Sequence, residues 1–198
     1  MVTNDDWQTG DISQIPPAFT ANIDPKDSII VASLLVGNNG SANYTAILKG
    51  INNGTGIVLV EVYDLEDAAQ SITKLENIAT RGLVQTGDNA IIASLILGSS
   101  KPTTVLLRVT GPTLKDFNIN NALTDPTLEL RDASGTVLAF NDNWRDKQEA
   151  KITATGLMPA NNLEPAVKAT LAPGNYTAVA RGKNDMIGVA VVEAYRVP

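Results

Sequence analysis

Asp125, Asp132, Asn141, Asp142 and Asn143 gather side-chain oxygens within a short stretch of chain, and oxygen is what a hard divalent cation seeks. Calcium takes roughly six to eight oxygen ligands, carbonyls of tight turns included. Asp125, Asp132 and Asp142 are therefore the candidate metal ligands of this sequence. The same residues also read as turn chemistry, because Asp-Pro, Asp-x-x-Gly and Asn-Asp bend a chain by bonding their own backbone. Trp7 and Trp144 are the candidate ligand contacts: an exposed indole stacks on a sugar ring, whereas a buried one plugs the end of a sandwich. Together these residues carry one functional reading, a calcium-dependent carbohydrate-binding or attachment module.

Other chemistry is excluded by residue type. The chain has no cysteine and no histidine, so thiolate or imidazole zinc sites and Ser-His-Asp or Cys-His catalysis are impossible. Gly87–Ala90 and Thr110–Leu114 are glycine turns, and no G-x-x-x-x-G-K-[ST] phosphate loop occurs. Among the 21 acidic residues no spacing singles out a pair for glycoside hydrolysis. No catalytic residue and no organic cofactor is assigned, and the chain reads as a non-enzyme. A net charge of −6 with scattered Lys and Arg argues against nucleic acid. The apolar runs 29–35 and 91–97 fall far short of the roughly 20 residues a membrane span needs. Asn39, Asn43, Asn53 and Asn175 match the glycosylation sequon.

The elements that position these residues come from a long-period repeat. Asn4-Asp5-Asp6-Trp7 returns as Asn141-Asp142-Asn143-Trp144. Tyr44-Thr45-Ala46, Gly50, Asn52 and the run 56–63 return as Tyr176-Thr177-Ala178, Gly182, Asn184 and the run 188–195. The register is 137 residues up to Leu34/Leu171 and 132 from Tyr44/Tyr176. The difference places five extra residues of the first copy in a turn around 35–43. Residues 76–140 have no counterpart upstream, so the order is second half, first half, second half.

Short β-rich runs separated by turn signals predict an antiparallel sandwich. Thr127–Arg131 and Thr136–Phe140 form a hairpin around Asp132-Ala133-Ser134-Gly135, and Val105–Val109, Tyr176–Arg181 and Val189–Tyr195 are further strands. Alternation sends Leu128, Leu130, Leu138, Val179 and Val191 inward. Glu61 and Glu193 lie within apolar strands in both copies; each reads as an exposed sheet residue or as a partner of Arg181 or Lys49. Only Asp64–Leu75 has helical character.

Several motifs in order, "NIATRGLVQTGDNAIIAS", "LLRVTGPTL", "LTDPTLELRDASGTVLAFNDNW", "LAPGNYTAVARG" and "GVAVVEAY", resemble β-sandwich repeats of very large secreted or surface proteins of environmental bacteria. Residues 125–181 also look like the bacterial pre-peptidase C-terminal domain. The resemblance implies an extracellular, non-catalytic spacer or attachment module, some examples of which bind calcium.

The expectation is an all-β protein of antiparallel, jelly-roll-like sandwich modules. One is complete, at 75–198; one is partial, at 1–66, a second half only; residues 67–74 link them. A structural role in a stalk, surface layer or fibre follows. Head-to-tail self-association through the partial module would provide it, because uncovered strands invite intermolecular pairing.

Overall fold

Pro126–Asp132 (β4) and Val137–Asn141 (β5) form the hairpin that the alternation predicts. The computed structural model describes residues 1–9, 13, 15–20, 23–38, 40–66, 75–98 and 100–198. Within the hairpin turn Asp132 Oδ1 accepts hydrogen bonds from the Ser134 and Thr136 amides, and Gly135 takes a φ of +84°. Six further strands complete the fold: Asn77–Val84 (β1), Ile91–Leu97 (β2), Thr103–Thr110 (β3), Ala166–Leu171 (β6), Gly174–Gly182 (β7) and Gly188–Arg196 (β8). They make two antiparallel four-stranded sheets, β1-β8-β3-β6 and β2-β7-β4-β5. The all-β expectation holds.

The sheets share one apolar core. Leu128, Leu130 and Ala180 of one sheet join Val84, Leu107 and Val192 of the other in a single buried cluster. Each fully buried Leu or Val there contributes about 1.5–3 kcal/mol relative to exposure. Three residues expected to face inward do not. Val179 is buried, but it pairs with Ile92 and Glu129 on the outer face of its sheet, while Ala178 and Ala180 of β7 face the core. Inward-facing Leu128 and Leu130 pair with Asn141 and Ala139, so Leu138, one residue further at the register shift between Leu130 and Arg131, falls off the inner face of edge strand β5 and is exposed. In β8 the inward residues are Ala190 and Val192, which leaves Val191 on the opposite face and only half-buried. One residue of parity decides each case.

Residues 142–165 cover the outer face of the first sheet. They contain a short helix, Glu149–Thr153 (α1), which the sequence did not signal. Ile152 of α1 and Trp144 pack on Leu106, Ala166 and Val197 in a second buried cluster. The helical character expected of 64–75, and with it the linker 67–74, falls mostly on residues outside those described.

Strand order carries the main architectural fact. The second-half strands β6, β7 and β8 never neighbour one another: β6 pairs with β3, β7 with β2 and β4, and β8 with β1 and β3. Only the β4–β5 hairpin pairs two strands of one half. All other consecutive strands lie in different sheets. A second half therefore supplies strands but none of their partners.

The chain divides into two compact units, Met1–Glu61 and Val62–Pro198. Within residues 1–61 the local structure of the second half is reproduced. Asn4 Oδ1 accepts from the Ile29 amide at 2.9 Å, as Asn141 Oδ1 does from the Ala166 amide at 2.9 Å. The Trp7 amide donates to Asp27 O and the Trp144 amide to Glu164 O. Tyr44 Oη donates to Leu35 O at 2.6 Å and Tyr176 Oη to Ala172 O at 3.0 Å. Asn52 and Asn184 adopt the same left-handed conformation, with φ of 52° and 53°. A Cβ at Gly50 or Gly182 would meet a backbone oxygen four residues on, at 2.0 and 1.9 Å, so both turns require glycine. The longer first copy makes its extra turn at Gly37–Ser41, closed by the Gly37 amide on Ser41 O. Yet none of the described residues of 1–61 belongs to a strand.

Candidate functional site

The most concentrated polar chemistry of the complete module lies on the outer face of the first sheet, beneath residues 142–165. Arg108 of β3 donates from Nε to Glu193 Oε2 at 2.6 Å and from Nη2 to Glu193 Oε1 at 3.0 Å, a two-pronged pair across neighbouring strands. Tyr195 Oη and Thr110 Oγ1 also donate to Glu193, and Arg108 Nη1 donates to Leu157 O. Burial opposes the charge on Glu193. The hydrogen bonds from Arg108 and Tyr195 and the guanidinium charge outweigh it, and its carboxyl titrates below the ordinary range. Burial and the same carboxylate push the Tyr195 phenol upward. A carboxylate so engaged is a weak base, and the cluster acts as a clamp between a first-half and a second-half strand. From sequence Glu193 reads either as an exposed sheet residue or as a partner of Arg181 or Lys49. The Arg181 side chain instead donates to Gly87 O, and the true partner lies 85 residues from Glu193 on β3.

A second clamp joins the halves at Glu164. It is fully buried and accepts from the Gly111 and Thr113 amides at 3.1 and 2.9 Å. Nothing in its surroundings in sequence marks it.

The candidate metal ligands are not gathered into one site. β4 is seven residues long, so Asp132 at its end lies roughly 20 Å from Asp125 just before its start. Asp132 serves the hairpin turn, where the hydrogen bond from Ser134 is the main cause of its lowered pKa. Asp125 and Asp142 do converge, on the ammonium of Lys183 at 3.6 and 2.6 Å. That contact, chiefly the Asp142 hydrogen bond, raises the Lys183 pKa. Asp125 Oδ1 and Asp142 Oδ1 are buried with no hydrogen-bond partner among the described residues. Asn141 is a buried turn-former, and Asn143 donates to Asp146. Among the described residues no group of three or more acidic side chains is placed to hold a metal ion.

Trp144 is 3% exposed, and Arg145 lies over its ring at 4.4 Å, so it offers no free face to a sugar. It is the plug rather than the platform. Trp7 is half-buried in residues 1–61, and the Nε1 of both indoles is buried without a partner among the described residues.

An unusual surface lies on the partial copy. Ile30, Leu34, Ile47 and Val60 are 51%, 55%, 76% and 51% exposed, while their counterparts Val167, Leu171, Val179 and Val192 are 4%, 6%, 5% and 1% exposed. Leu48 and Val58 are likewise exposed where Ala180 and Ala190 are buried. The segments 28–36, 43–50 and 56–63 thus carry core-forming residues with no core over them.

No family model and no curated protein matches the chain. Among solved structures it is similar to the pre-peptidase C-terminal domain of a collagenase from Bacillus anthracis, at 13% identity and a TM-score of 0.38, covering 60% of this chain and 89% of that one.

Proposed function

We propose that this chain is a non-enzymatic structural component of an extracellular assembly, joined to its neighbour through the surface of residues 28–63. One observation carries the reading: residues that are core in the complete module stand exposed at equivalent positions in the partial one. The polar clusters support a structural role, since Arg108, Glu193 and Glu164 spend their hydrogen-bonding capacity holding the two halves together. The motif resemblance to secreted repeat modules supports the extracellular setting. A surface present on the partial copy and covered on the complete one is not self-complementary, so its contact is heterologous and runs head to tail.

Sedimentation of the intact chain over a range of concentrations, with electron microscopy of the product, tests this. The intact chain should associate, and deleting residues 1–66 or introducing Val60→Asp should abolish association. An intact chain that stays monomeric at high concentration with residues 28–63 resistant to proteolysis overturns it.

Calcium-dependent attachment is the second reading, favoured by the two partnerless oxygens of Asp125 and Asp142. Lys183 already supplies positive charge between those carboxylates, which weighs toward the structural role.

A further inference from the structure

We infer that residues 28–63 receive the first half of a sandwich of this same kind, a five-stranded segment patterned like residues 77–141, and complete it by adding three strands to its ladders, two between its strands and one at a sheet edge. The inference rests on the reading of 28–63 as a joining surface and names its occupant.

Three observations converge. First, β6, β7 and β8 find every ladder partner among β1, β2, β3 and β4, so one second half cannot satisfy another. The segments 28–36, 43–50 and 56–63 occupy the β6, β7 and β8 positions of the repeat. They need first-half strands, and lateral stacking of identical surfaces supplies none. Second, residues 75–198 hold one first half, already filled by β6, β7 and β8, while the chain carries two second halves. Exchange between identical chains leaves the same surplus, so the occupant is a first-half segment additional to residues 77–141 of any copy. Third, the repeat preserves the recognition chemistry. Glu61 and Tyr63 stand where Glu193 and Tyr195 meet Arg108, and Asp27 stands where Glu164 meets the amides of Gly111 and Thr113. A segment patterned like residues 77–141 brings the matching arginine on its third strand and the matching amides just after it.

The test uses the full chain with a polypeptide of residues 76–140 diluted together from urea. Tethering favours the chain's own first half for β6 to β8, leaving the added segment for residues 28–63. A one-to-one complex should form, and amide hydrogen exchange at 44–50 and 56–63 should slow on the order of a hundredfold. Val60→Asp, at an exposed position, should prevent capture without altering exchange in 75–198. The same segment fused ahead of Met1 should give equal protection and a monomer, whatever the solubility of the free segment. If exchange at 28–63 stays fast in both formats while the intact chain still associates through this surface, the joining surface stands and the occupant is wrong. Association of the chain alone should leave these amides fast, because a second copy brings no free first half; protection as strong as the added segment gives would instead assign the site to a second copy. Slow exchange at 28–63 in the isolated monomer would overturn both readings.

Discussion

Arg108 and Glu193 form a bidentate ion pair that ties β3 to β8, a strand of the first half to a strand of the second, with both side chains largely buried. Breaking a buried pair leaves one charge uncompensated, which typically costs about 3 kcal/mol or more. Arg108→Met should lower stability on that scale, read as a shift in the urea unfolding midpoint. Arg131→Met, which removes a partly exposed pair within one strand, should cost less than about 1 kcal/mol. Equal costs would show that the clamp between the halves has no special weight.

Acid should weaken the module through Glu193. Its folded pKa lies below its ordinary value of 4.5, so the folded protein gains stability from the charged form above that value. The gain disappears as pH falls from 4.5 through the folded pKa. Thermal midpoints measured downward from neutral pH should therefore hold and then fall below about pH 4.5. Glu193→Gln should start lower and show a flatter acid limb. An unchanged acid limb in that variant would remove Glu193 as the cause.

Equivalent substitutions in the two copies should behave oppositely. Leu171→Ala empties a core position and should cost about 3 kcal/mol in the cooperative unfolding of residues 75–198. Leu34→Ala, at the matching exposed position, should cost less than about 0.5 kcal/mol in the chain alone. Once residues 28–63 are covered by a first half, its cost should rise to that of Leu171→Ala. Urea unfolding with and without the fused segment measures the difference.

Lys183 should take the place of a cation. Millimolar calcium added after chelation should leave the thermal midpoint of the native chain unchanged. Lys183→Met should lower it by bringing Asp125 and Asp142 together without their shared ammonium, and calcium should then restore part of the loss by binding the folded state. A clear rise for the unsubstituted chain would mean that the ion displaces Lys183, and would favour the calcium reading.

Much of this architecture is legible in the residues because it is written locally. Strand alternation in Thr127–Arg131, the Asp132–Gly135 turn and the apolar run of β2 are properties of a few neighbouring residues, and each appears where the pattern puts it. The repeat is equally local, and so the turns around Asn4, Tyr44 and Asn52 recur in the second copy hydrogen bond for hydrogen bond. What the residues could not reveal depends on which strand lies beside which. Leu138 and Val191 took the wrong face because a register shift and one residue of parity decide facing. Arg108 could not be matched to Glu193, nor Glu164 to the Gly111 amide, because the partners lie far apart in sequence and meet only when the halves interleave. Whether Trp144 is a ligand platform or a plug could not be read from its neighbours in sequence, because residues 142–165 enclose it only when they fold over the sheet. Nor does the repeat alone say where the strands of a second half find their ladders. That follows from the strand order, in which β6, β7 and β8 never pair with one another and every ladder they form is with another segment.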